Sequence, residues 1–308
     1  MGDTGDGARV ADNLADDAAG EERGRLAARA YHTTRIDIDD VLRHNWLDFW
    51  YQPKIDLQRR TVIGAEALAR IRHPELGVLL PKNFLMLLSE DGMAHLTERA
   101  VLTALADWHA FDAAGFNLHL SVNVPVKTLR QLPIAKLVMQ SRPEAEHWPG
   151  LIVDAPEEEI VQDLDLAQKL AMELRISHIS IAVDDFGIHY EEFARLRESV
   201  FAELKIDNSF IKNCAVDAGN AVVCQTAVDL AHRLGIVAVA EGIEGHADLQ
   251  ALQLMGCDHG QGVLIAPPMP MANLLEFLHQ RPSKPLAPED SSEQPTHPGR
   301  PLGVDRVA

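Results

Sequence analysis

Cysteine is scarce in this chain of 308 residues: Cys214, Cys224 and Cys257 are the three, with no C-x-x-C and no metal-finger spacing. That excludes a disulfide framework and a structural zinc site, and it suits free thiols in a reducing cytoplasm. Basic charge is also short. Lys and Arg number 28 against 46 Asp and Glu, a net charge of −18, so no basic surface is offered to a nucleic-acid polymer. No apolar run reaches the roughly 18 residues that cross a bilayer, and the acidic opening residues lack the h-region of a secretory signal. A cytoplasmic protein without membrane insertion is expected. A glycine-rich phosphate fingerprint is missing too, which leaves a doubly wound open sheet as the weaker of two fold readings.

What is present is organised around Ile179 to Gly187, ISIAVDDFG. A short β-branched, apolar run ending in two adjacent carboxylates reads as a parallel strand buried on both faces. Asp184 and Asp185 cannot be buried there unpaired, so they emerge at the mouth of a sheet or barrel, or they hold a cation.

Residues 1–30 are acidic and glycine-rich, and 281–308 are rich in Pro, Ser and Glu. Neither has enough apolar content to pack, so both are expected to be disordered tails around one domain, 31–280. A short helix over 36–45 precedes strands at 49–56 and 62–70, whose polar connection predicts an antiparallel hairpin. Helices are predicted over 81–91 and 95–114. From there strands at 118–124, 151–155, 179–184, 201–206, 236–240 and 259–264 alternate with helices at 126–140, 165–175, 190–197, 220–234, 247–255 and 271–279. This alternation implies right-handed βαβ crossovers. The expected fold class is therefore α/β: a TIM-like (β/α)8 barrel whose first strand is antiparallel.

Chemistry in such a barrel sits at the C-terminal ends of the strands. Reading those ends in order gives Glu66, Asn123, Asp154, Asp184 with Asp185, Lys205, Glu241 and Gln261. Singly, each has a dull explanation: Glu66 as a helix cap, Asn123 as a turn residue, Lys205 as a surface partner of Asp207. Together they make a ring of oxygen donors with one ammonium. Five carboxylates and two carboxamides without clustered His or Cys favour Mg2+ or Mn2+ over zinc. So much negative charge suits two ions, the usual device for attack of water on a phosphodiester. Asp184 and Asp185 are candidates to hold or bridge both.

The motifs YQPKIDL, GAEALAR, LSVNV, AVDDFG, ELKIDNSFI, VAEGIE and GCDHGQG closely resemble, in order, those of the EAL-domain family, which hydrolyses the bacterial second messenger cyclic di-GMP. The similarity covers roughly Phe49 to Leu278. It implies cleavage to linear pGpG with Mg2+ or Mn2+, and a homodimer, which is common in that family. By this resemblance Glu66, Asn123 and Asp184 are ligands of one metal, and Asp184, Asp185 and Glu241 surround the second. Lys205 orients or activates the attacking water, with Glu241 the other residue proposed as base. Gln261 matches a site glutamine and Arg70 a substrate-binding arginine. Where the family has Glu-x-x-Glu, this chain reads DAPE, so Asp154 takes the ligand position and Glu157 the one that steadies the loop after strand five.

Departures from the family's pattern are local. Asp154 is one methylene shorter than the usual Glu. The loop usually written DDFGTGYSS reads DDFGIHYEE, with His189 in place of a glycine and Glu191 and Glu192 in place of serines. His189 is expected to penalise any positive φ that the loop relied on. Pro125 replaces a small polar residue. These changes make a binding protein with slow or no turnover the alternative to an enzyme. No sensor or cyclase domain is expected beside the barrel.

Overall fold

A computed structural model describes residues 38–196 and 199–280. The tails expected at 1–30 and 281–308 lie outside the described residues. The strands are β1 (Leu47–Asp56), β2 (Val62–His73), β3 (Gly77–Leu79), β4 (His119–Asn123), β5 (Leu151–Pro156), β6 (Ile179–Phe186), β7 (Glu203–Ile206), β8 (Val237–Ala240), β9 (His259–Gly260) and β10 (Met269–Pro270). The sheet closes on itself in the order β1-β2-β4-β5-β6-β7-β8-β9, because β1 pairs with both β2 and β9. The short β3 and β10 hang from β2 and β1. The closed barrel is the expected fold, and the open-sheet reading falls.

β1 runs antiparallel to β2 and to β9, while β2 and β4 to β9 are mutually parallel. The hairpin of β1 and β2 explains this. Val62 follows Asp56 too closely in sequence for a helical crossover, so the chain turns back on itself. The central strands are buried on both faces: Leu151 to Ala155 and Ile181 to Asp184 are all buried. A helical layer covers the outside, including Glu90–Ala113, Leu164–Arg175, Ala218–Leu234 and Met271–Gln280.

Differences from the sequence expectations have local causes. The predicted break between 91 and 95 is absent, since Ser89 accepts a hydrogen bond from the Gly92 amide and starts one helix, Glu90–Ala113. The helix expected over 126–140 is two, Val126–Gln131 and Ile134–Ser141, because Pro133 lacks the amide that would continue the first. A helix that the sequence reading missed, Glu157–Gln162, opens immediately after Pro156 with three acidic residues in its first turn. The last barrel strand stops at Gly260 rather than at 264.

Candidate active site

The interior of the barrel carries polar layers along its axis. Near the base, Lys54 of β1 meets Glu203 of β7 at 2.5 Å, both buried. Two residues further along β7, on the same face by strand alternation, comes Lys205. It is 1% exposed, and its ammonium lies 2.7 Å from Glu241 Oε1, 2.8 Å from Asp184 Oδ1, 3.0 Å from Asp154 Oδ2 and 3.9 Å from Glu66 Oε2. The parallel strands thus deliver their C-terminal polar residues to one place.

Amide side chains knit the carboxylates together. Asn123 Nδ2 donates to Glu66 Oε1 at 2.6 Å. Gln261 Nε2 donates to Glu66 Oε2 at 2.6 Å and to Glu241 Oε1 at 3.0 Å. Gln261 stands just past β9, held by its amide to Ala240 O and its carbonyl to Ile243 N. The glycine after it is required there: a Cβ on Gly262 would lie 2.2 Å from the Ile243 amide nitrogen. Asp154, fully buried, takes Ser121 Oγ at 2.9 Å as well as Lys205. Ser121 was not anticipated, although its place two residues before Asn123 on one strand face could have indicated it.

Asp184, Asp185 and Glu241 bring ligand oxygens within 4.8 Å of one another. Asp185 reaches the rim in a left-handed backbone conformation, φ 54°, unusual for a residue with a side chain. The loop after it is fixed from two sides. Glu157 accepts from the amides of Gly187 (3.4 Å), Ile188 (3.2 Å) and His189 (3.1 Å). Gly187 sits so close to Phe210 that a Cβ would fall 2.2 Å from the ring. His189 has φ −104°, so the penalty expected from its side chain is not incurred; positive φ falls on Asp185 instead. Glu157 therefore stands where the loop-steadying residue was expected.

Electrostatics follow from crowding. Burial lifts the Asp154 carboxyl to about 7 against the pull of Lys205, with Asp184 and Glu66 adding to the rise. Burial likewise holds Glu241 well above the usual carboxylate range, with Lys205 opposing. Partial burial beside Asp184 and Asp207 raises Asp185 to about 6. Glu66 goes the other way, because Lys205 and the two amides outweigh its burial. The same carboxylates raise Lys205 despite its burial. Glu66, Asp154, Asp184, Asp185 and Glu241 thus face one ammonium, a surplus of negative charge that accommodates further cations.

Arg70 is also buried near the mouth, on β2. Its Nη1 donates to Ala69 O at 2.8 Å, its guanidinium lies 5.4 Å from the Trp50 ring centre, and its Nε has no partner. Of the residues singled out in the sequence, Glu66, Asn123, Asp154, Asp184, Lys205, Glu241 and Gln261 form one contiguous network. Asp185 completes an acidic trio at its rim, Arg70 stands beside it, and Glu157 supports the adjoining loop.

The oxygen-rich donor set without His or Cys, the converging acidic trio, and the unpartnered buried oxygen Gln261 Oε1 all fit hard divalent cations. Fold and site together define a (β/α)8 barrel with an acidic, cation-accepting mouth. Its family follows from comparison with known proteins. The EAL domain family matches residues 35–268, and the chain belongs to that family. Cyclic di-GMP phosphodiesterase PA2567 of Pseudomonas aeruginosa is 33% identical over 232 residues, 75% of this chain and 40% of that protein. Cyclic di-GMP phosphodiesterase RocR of the same organism is 30% identical over 245 residues, 78% of this chain and 62% of its own length. The chain thus spans less than two thirds of either relative. The solved structure described as "PaMucR Phosphodiesterase, c-di-GMP complex" superposes with a TM-score of 0.67 at 28% identity, covering 77% of this chain and 98% of that one.

Proposed function

We propose that this chain hydrolyses cyclic di-GMP to linear pGpG with two divalent cations, Mg2+ or Mn2+. The observation that carries this reading is the surplus of carboxylates around Lys205, tied together by Asn123 and Gln261. A network satisfied only when cations arrive has no purpose in a barrel that merely needs to pack. Membership of the EAL family and the phosphodiesterase names of its relatives point the same way.

In this reading Glu66, Asn123 and Asp184 would hold one cation and Asp184, Asp185 and Glu241 the other. When bound, the pair supplies electrophilic stabilisation of the phosphoryl oxygens and a more acidic water. The protein's own groups do the rest. Arg70 has free guanidinium donors for a substrate phosphate. Glu241 accepts the proton of the attacking water. Lys205 holds that water in line and offsets the developing charge. Gln261 fixes Glu66 and Glu241 relative to each other, and Glu157 keeps the loop after β6 in place. The partner is a second copy of the chain, for which Ile188 and Tyr190 stand exposed on that loop. The setting is the cytoplasm, where such a second messenger acts.

A slow or inactive cyclic di-GMP receptor is the second reading, favoured by the engagement of Asp154 with Ser121 and Lys205. The deciding experiment is turnover of cyclic di-GMP with Mg2+ or Mn2+, followed by chromatography, with Glu66→Ala as control. Appearance of pGpG that is lost in the variant is the expected result. Intact substrate with tight binding overturns the enzyme reading in favour of the receptor.

A further inference from the structure

The carboxylates at the mouth do not treat two cation positions alike. Asp184, Asp185 and Glu241 already converge, and among the described residues no other trio of acidic, His or Cys side chains does so. The position expected from Glu66, Asn123, Asp184 and Asp154 is not drawn together in this way. Both Glu66 oxygens are engaged, one by Asn123 and one by Gln261. Asp154 pairs in strand register with Asn123, yet no hydrogen bond joins their side chains. Its Oδ2 instead takes the hydroxyl of Ser121, one layer nearer the base, together with the Lys205 ammonium.

Reach explains the arrangement. An aspartate carboxylate extends one methylene less from its strand than a glutamate. With Oδ2 held by Ser121 and Lys205, the unpartnered Oδ1 stays about one methylene further from the mouth than a glutamate oxygen would.

Resting on the two-cation reading above, we propose that the two positions are unequal in this chain: the Asp184–Asp185–Glu241 position is ready-made, while the Glu66–Asn123 position, which shares Asp184, lacks a fourth protein ligand because Asp154 acts instead as a positioning residue for Lys205. Asp154 and Ser121 form the anchor from which the ammonium reaches Asp184 and Glu241. The chain then takes up its ions in sequence, the trio first, and residue 154 sets the gap between the two affinities.

The test needs no turnover. Mn2+ is titrated into the intact protein and free Mn2+ is followed by electron paramagnetic resonance, for the wild type, Asp154→Glu, Asp154→Asn and Glu241→Gln. Melting curves verify that each variant is folded. The expected wild-type result is two classes of site at least about 10-fold apart in affinity. Glu241→Gln removes the tight class. Asp154→Glu tightens the weak class about 10-fold, a gain that a merely structural role for residue 154 would not produce. Asp154→Asn leaves that class within about 3-fold, and if this variant fails to fold, the gain in Asp154→Glu decides alone. Two equal classes in the wild type overturn the proposal, as does a 10-fold loss in Asp154→Asn without a gain in Asp154→Glu, since Asp154 would then be a ligand. Absence of Mn2+ binding in both the wild type and Asp154→Glu overturns the two-cation reading itself.

Discussion

At the base of the barrel Lys54 meets one carboxylate, Glu203; at the mouth Lys205 meets three, with a fourth 3.9 Å away. Both lysines are 1% exposed. The base pair is neutral and complete, and it holds the Glu203 carboxyl below its usual range even against burial. The mouth is overcharged, and the same burial pushes Asp154 and Glu241 above theirs. A pair that balances by itself belongs to the structure. A cluster so crowded with carboxylates is carried by the fold at a cost in stability.

The comparison can be broken at either end. The largest effect is expected at the mouth. Lys205→Ala or Glu241→Gln should lower turnover of cyclic di-GMP by about 10²- to 10⁴-fold, with the far-ultraviolet circular dichroism of the wild type retained. A Glu241→Gln variant with wild-type turnover would leave Glu241 no part in proton transfer. At the base, Lys54→Met leaves Glu203 buried and alone, which should cost about 3–5 kcal/mol in urea unfolding. The double change Lys54→Met with Glu203→Leu should recover most of that loss, and recovery of none would mean that the pair is not acting as a unit.

The sign should reverse at the mouth. Replacing this buried, crowded carboxyl by Glu241→Gln keeps an oxygen for Lys205 and Gln261 and should raise the stability of the metal-free protein by about 1 kcal/mol. A drop of similar size would refute the surplus-charge account. The smallest effect is in pH. Asp154 near 7 and Asp185 near 6 lie above the unfolded value of about 4. Protonated forms are therefore favoured by folding, and the stability from these groups is present in full below about pH 4 and lost as pH rises through 6 and 7. The metal-free protein should melt several degrees higher at pH 5.5 than at pH 8, and Mn2+ should flatten the difference. A melting temperature that rises over that interval would contradict the assignment.

Much of this was legible in the sequence. The apolar runs around Ile181 and Val153 read as buried parallel strands, and a parallel barrel puts its chemistry at the ends of such strands. Glu66, Asn123, Asp184, Lys205, Glu241 and Gln261 follow from that rule. What could not be read was which partner each group would choose. Lys54 and Glu203 are far apart in the chain, and they meet only once the sheet has closed. Ser121 looked like an ordinary strand residue until Asp154 turned toward it. The strain expected at His189 moved to Asp185, because amide hydrogen bonds to Glu157 and the close packing of Gly187 on Phe210 set the loop's path. Partner choice depends on distances of one methylene, which composition and periodicity do not encode.

The antiparallel β1 also bears on how the molecule is made. A chain leaving the ribosome can lay β2, β4, β5, β6, β7 and β8 side by side in order, each against a strand already synthesised. β1 pairs at once with β2, but its other edge waits for β9, where Ile55 meets Gly260. During that interval a row of amides and carbonyls stays open to any passing strand, and contacts so distant along the chain form late. Gln261 follows Gly260 directly, so the event that shuts the seam also brings the last amide to Glu66 and Glu241. A nascent barrel is thus both sticky and chemically incomplete until nearly all its residues exist, and it loses both properties together.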